Sequence, residues 1–96
     1  MTLTKPFRRY RRHTNAILRV NHDATTYIDA NSVTLTTADA QNVDDGLTIT
    51  GATQTASGWS ALVTATHVGE YAFELWLTYS DGTRQVLTYV IDVVNP

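Results

Sequence analysis

Residues 70–94 read EYAFELWLTYSDGTRQVLTYVIDVV, and this stretch decides the fold. From Tyr71 to Tyr79 the odd positions carry Tyr71, Phe73, Leu75, Leu77 and Tyr79, while Ala72, Glu74, Trp76 and Thr78 fall between them. A period of two over this length marks a strand with one face buried. After a short break the pattern resumes, with Gln85, Leu87, Tyr89, Ile91 and Val93 on one face and Arg84, Val86, Thr88, Val90 and Asp92 on the other. The break is Ser80-Asp81-Gly82-Thr83, whose Asp-Gly pair suits the positive φ of a tight hairpin turn. The segment is therefore an antiparallel β-hairpin.

Working outward, further short strands are expected. Residues 59–66 place Trp59, Ala61, Val63 and Ala65 on one face. Residues 47–50 alternate around Leu47 and Ile49 and stop at Gly51, and residues 32–36 alternate around Val33 and Leu35. Residues 25–28 are expected to be a short strand, and 16–20 another that ends at the turn cluster Asn21-His22-Asp23. Residues 38–46, polar and rich in Asp, read as a loop. Thr, Val and Ile number 17, 9 and 4 among 96 residues, a β-branched load that favours sheet, and no window shows helical periodicity. Six or seven short strands separated by turns predict one all-β domain, a sandwich or small barrel.

Charge divides the chain. Residues 1–19 hold Lys5, Arg8, Arg9, Arg11, Arg12 and Arg19 and no acid, whereas 20–96 hold Arg84 against nine Asp and Glu. The balance is +6 against 1 − 9 = −8, which sums to the net −2. Residues 1–15 accordingly read as an extended basic arm, and 16–96 as the sandwich. A basic tail on an acidic body calls for an acidic partner: nucleic acid, another protein, or the body of a second copy. The candidate partner-binding residues are Phe7, Arg8, Arg9, Tyr10, Arg11 and Arg12, the guanidiniums for charge and the two rings as anchors. Trp76 joins them, because it alternates with Glu74 and Thr78 on the face expected to meet solvent.

Catalytic chemistry finds little footing. The chain has no cysteine, hence no disulfide and no thiolate site, and no G-x-S-x-G elbow. His13, His22 and His67 lack metal-ligand spacing, and Asp44-Asp45-Gly46 lacks the alternate-residue ligands of a calcium loop. No enzyme activity, cofactor or metal is expected. No apolar run approaches a membrane span and no signal-peptide core follows the basic start. A soluble, unprocessed protein made in the cytoplasm is expected.

Two resemblances sharpen the expectation. Residues 65–73, ATHVGEYAF, resemble the approach to the sixth strand of immunoglobulin-like domains, where Gly-x-Tyr sets a tyrosine at the corner between sheets. Gly69 and Tyr71 occupy those places, without the paired cysteines of antibody domains, and loss of the Tyr71 ring is expected to rank among the costliest changes in the body. More narrowly, DDGLTITGATQ (44–54), SGWSALVTAT (57–66) and VGEYAFELWLTYSDGTRQVLTYVIDVV (68–94) resemble the small Ig-like structural proteins of tailed bacteriophages. That resemblance covers about half the chain and leaves out residues 1–15. It implies an Ig-like antiparallel β-sandwich of about six or seven strands and a non-enzymatic virion component. Such a component would be a capsid decoration or cement protein, or a neck or tail accessory. It would act in multiple copies or as a homo-oligomer, bound to the major capsid protein or other virion proteins. A ligand- or carbohydrate-binding module working through Trp76, and a nucleic-acid accessory working through the arm, are the alternatives.

Overall fold

The computed structural model describes residues 7–95. Seven strands and one short helix follow in the order β1 (Arg8–His13), β2 (Leu18–Asp23), α1 (Thr25–Asn31), β3 (Leu35–Gln41), β4 (Leu47–Gln54), β5 (Gly58–Ala65), β6 (Gly69–Tyr79) and β7 (Arg84–Val94). They form a four-stranded sheet, β1-β7-β6-β3, and a three-stranded sheet, β2-β5-β4. Strands 2, 5 and 4 in one layer and 3, 6 and 7 in the other reproduce the immunoglobulin arrangement. The first strand lies beside the last.

In the β6–β7 hairpin Thr78 stands opposite Arg84 and Gly69 opposite Val93. At its turn the Asp81 carboxylate accepts from the Thr83 N–H (3.0 Å) and hydroxyl (2.6 Å), and Gly82 takes φ +86°. The apolar faces foreseen on β5, β6 and β7 are the ones that meet inside. Phe73, Leu75, Leu77, Tyr79, Tyr89, Ile91 and Val93 from one layer pack on Val20, Trp59, Ala61 and Val63 from the other, all buried. Phe73 and Tyr89 stack across the hairpin with centroids 5.2 Å apart and planes 9° apart.

Tyr71 sits at the corner as the Ig resemblance implies, its hydroxyl donating to the His67 carbonyl over 3.1 Å. Its ring covers Gly46, where a Cβ would come within 2.7 Å of the Tyr71 Cε1 atom. The ring is only half-buried, so the costliest aromatic lies one step further along β6, at Phe73.

Five expectations require correction. Residues 25–28 belong to α1, not to a strand. The Asp23 carboxylate accepts from the Thr25 N–H and hydroxyl (2.9 and 2.6 Å) and starts the turn, and the Tyr27 ring stacks on Tyr79 at 4.3 Å. Tertiary packing thus overrides the β-branched bias of the segment. Asn21-His22-Asp23 is the end of β2 rather than a turn. The supposed loop 38–46 begins as strand, because β3 runs to Gln41. A bulge between Leu35 and Thr37 puts Leu35 and Ala38 on the same buried side, three residues apart, which hides the alternation. β4 likewise continues past Gly51 to Gln54 through a second irregularity between Thr50 and Thr53.

The fifth correction concerns the arm. Residues 8–13 of the segment expected to be free are β1, paired in parallel with β7 from Arg8 opposite Tyr89 to His13 opposite Val94. The sandwich is therefore mixed rather than purely antiparallel, and it begins before residue 16. Tyr10 packs against the core, while the five other residues of β1 are exposed. An edge strand that buries one side chain leaves no apolar alternation to read, and charged residues are what such edges carry. Residues 1–6 of the expected arm lie outside the described residues.

Candidate functional site

β1 and Phe7 just before it gather the six N-terminal candidates on one edge of the four-stranded sheet. Parallel pairing turns Arg9 and Arg11 to the outer face, beside Val90 and Asp92, and Arg8, Tyr10 and Arg12 to the inner side, beside Tyr89, Ile91 and Val93. The second sheet has one strand fewer, so the inner-side guanidiniums emerge at the open flank of the sandwich. Arg8 lies over the Phe7 ring (5.7 Å to the centroid) and Arg12 over the Tyr10 ring (5.6 Å). Phe7 is held by Tyr89 and His22, edge to face at 5.7 and 5.6 Å, and remains about half exposed at 47%. The Phe7 N–H donates to the Thr88 carbonyl over 2.9 Å, which ties the start of β1 to β7.

The basic residues are not equivalent. Arg9 bridges Glu70 and Asp92 at 3.0 Å each, spending its charge within its own chain. Those two carboxylates raise its pKa. Among the described residues Arg8, Arg11 and Arg12 meet no carboxylate; the Arg12 guanidinium donates to the neighbouring Arg11 carbonyl at 2.8 Å. Burial lowers the His22 pKa, so its ring stays neutral at pH 7 and adds no charge to the edge. Between Phe7, His22, Tyr27 and Leu87 a groove of about 380 Å³ opens beside the start of β1.

Trp76 stands apart from this edge, on the outer face of β6 between Val86 and Asp39. It is half-buried, its indole N–H donates to Glu74 at 3.2 Å, and Arg84 covers its ring at 5.0 Å. The fold does not bring Trp76 together with the β1 cluster.

Three features escaped the sequence. Glu70 and Asp92 neutralise Arg9 from positions more than sixty residues away in the chain, and only the parallel pairing brings them together. Gln54, at the end of β4, reaches across to β3: its carboxamide accepts from the Ala38 N–H (2.9 Å) and donates to the Thr36 carbonyl (3.1 Å), occupying that strand's edge as a neighbouring strand would. The third is the Tyr89 hydroxyl, buried with no hydrogen-bond partner among the described residues. Burial pushes its pKa up to about 12. A raised tyrosine pKa contributes stability that is complete below the unfolded value of 10.0 and is lost as pH rises through about 12. Tyr89→Phe removes a desolvated hydroxyl and leaves no partner orphaned. It is expected to match or exceed the parent's stability at pH 7, within about 0.5 kcal/mol on the low side, and to lose less stability between pH 10 and 12. Urea unfolding at both pH values checks this, and a loss above about 1 kcal/mol at pH 7 would mean that the hydroxyl is satisfied.

Among the described residues no group of His, Asp and Glu is placed to hold a metal ion, and no helix is long and apolar enough to cross a membrane. No family model matches the chain, and no curated protein matches it. Among solved structures, the chain is similar to part of the endo-fucoidan hydrolase MfFcnA4 from glycoside hydrolase family 107, and equally to a point variant of that enzyme. The TM-score is 0.59, with 18% identity over 92% of this chain. The chain spans 12% of that enzyme's length, and the likeness is one of fold.

Proposed function

We propose that this protein is a non-enzymatic structural component of a phage particle, a decoration or cement protein in the first instance. It docks through the β1 edge on an acidic surface of the major capsid protein or another virion protein. The observation that carries the docking surface is the trio Arg8, Arg11 and Arg12, exposed on one sheet edge and unmatched by any carboxylate among the described residues. The virion assignment draws on the resemblance over residues 44–94. A rigid strand suits the role better than a loose tail, because guanidiniums held in place lose less freedom on binding.

Arg9 does not belong to the docking set, since its charge is already matched internally. The carbohydrate alternative loses its platform, because Arg84 already lies over the Trp76 ring that a sugar would stack on.

Replacing Arg8, Arg11 and Arg12 together by Ala is expected to leave the melting temperature nearly unchanged. Each exposed pair contributes about 0–1 kcal/mol, so the three together account for up to about a hundredfold in affinity. Mass spectrometry of purified particles should therefore show the variant's copy number falling sharply against the major capsid protein at low salt, with most of the salt dependence of incorporation removed. Equal incorporation of variant and parent would overturn the assignment. Loss of DNA binding with incorporation intact would move it to nucleic acid.

A further inference from the structure

The four-stranded sheet treats its two edges differently. At the β3 edge, Gln54 occupies the Ala38 N–H and the Thr36 carbonyl, and Glu74 and Asn42 pair nearby. At the β1 edge no strand follows among the described residues, and every second residue turns its N–H and C=O away from β7. The contact to the Arg11 carbonyl there is local, from the next side chain, and an incoming N–H can replace it.

We infer that β1 accepts one extended acidic strand of a partner protein, adding a fifth strand to the β1-β7-β6-β3 sheet. The inference rests on the docking function proposed above and specifies how the partner is held. Charge selects the occupant. Two β1 strands laid side by side would set guanidiniums opposite guanidiniums, and like charges directly opposite are unfavourable. A strand bearing Asp or Glu at alternate positions meets Arg8 and Arg12 on one face, or Arg11 on the other, with carboxylates able to accept bidentate pairs. The backbone ladder supplies affinity without regard to sequence, and the guanidiniums supply the preference for acid. A β1 of six residues matches a partner segment of ordinary strand length.

The test uses a fluorescent synthetic peptide of about eight residues in which Glu and Thr alternate, the length of one strand, and the full chain. Two further peptides carry N-methyl groups on every second amide, one in each register. All three have the same charge, but a peptide strand turns only one of its two sets of amides toward β1. One methylated register is expected to weaken binding by about ten- to a hundredfold, as loss of several hydrogen bonds implies, and the other to bind as the parent peptide does. Amide exchange in β1 should slow with the parent peptide and with the tolerated register alone. Equal binding by both methylated peptides, or no binding by the parent peptide, would overturn strand addition. Neither result touches docking by charge, which particle incorporation of the triple Arg variant decides separately. Binding that passes the methylation test alongside unaltered incorporation would keep the strand-accepting edge and remove the virion role.

Discussion

Phe73→Ala is expected to remove about 3–5 kcal/mol of stability, the usual cost of emptying a buried aromatic site. Phe73 has no exposed surface, stacks flat on Tyr89, and tilts against Trp59 of the opposite sheet at 6.2 Å. It is therefore the ring that joins the two layers as well as the two strands of the main hairpin. Small domains hold roughly 5–15 kcal/mol in total, so the variant should be partly unfolded well below the parent's transition. Urea titration followed by circular dichroism measures the loss. Trp76→Ala is the internal control: it lies on the same strand with the opposite orientation, half-buried, and should cost nearer 1 kcal/mol, the ordinary value for a substitution. Equal losses at the two positions would refute the assignment of faces on β6.

Removing residues 1–13 is expected to lower the melting temperature by roughly 10–20 °C, corresponding to about 3 kcal/mol in a domain of this size. The deletion takes away the Tyr10 packing and the ladder along β7, and it exposes the flank of Tyr89, Ile91 and Val93. Each hydrogen bond contributes a net of about 0.5–1.5 kcal/mol, and the half-buried ring adds to them. The parallel pairing of β1 with β7 makes residues 8–13 part of the sandwich rather than an addition to it. A thermal melt of the truncated chain distinguishes the two: an unchanged midpoint would return β1 to the status of an appendage. Paired with the triple Arg variant, whose melt should not move, the deletion separates what the backbone of β1 does from what its charges do.

The hairpin was legible because each of its strands alternates over about ten residues and the Asp-Gly turn fixes their register. β1 was not, because RRYRRH contains a single side chain that the core needs. Periodicity is visible only where several positions are buried, and an edge strand at the flank of a smaller facing sheet buries few. α1 was missed because Thr-Thr-Tyr-Ile has strand-forming residues and no buried stripe. Its conformation depends on the Asp23 carboxylate before it and on Tyr79, fifty residues away in sequence. β3 was truncated by its bulge. For the site, composition picks out the basic residues but gives no means of telling Arg9 from Arg8, Arg11 and Arg12. That distinction arises from the parallel register with β7, which brings Arg9 to Asp92 and Glu70. Trp76 does face outward, as its alternation implies, yet Arg84 already engages its ring.

Gln54 sets a limit on how far this sheet can grow. A sheet with two receptive edges elongates from both, so any productive contact also seeds a fibre. Here one terminus carries a side-chain amide in place of the next strand. Strand addition at β1, as proposed above, would therefore be a saturable event with an end point of one strand per subunit. Copies crowded at high local concentration would then take up partner strands without polymerising through that sheet. Gln54→Ala would unmask the Ala38 N–H and the Thr36 carbonyl and convert a terminator into an elongating end.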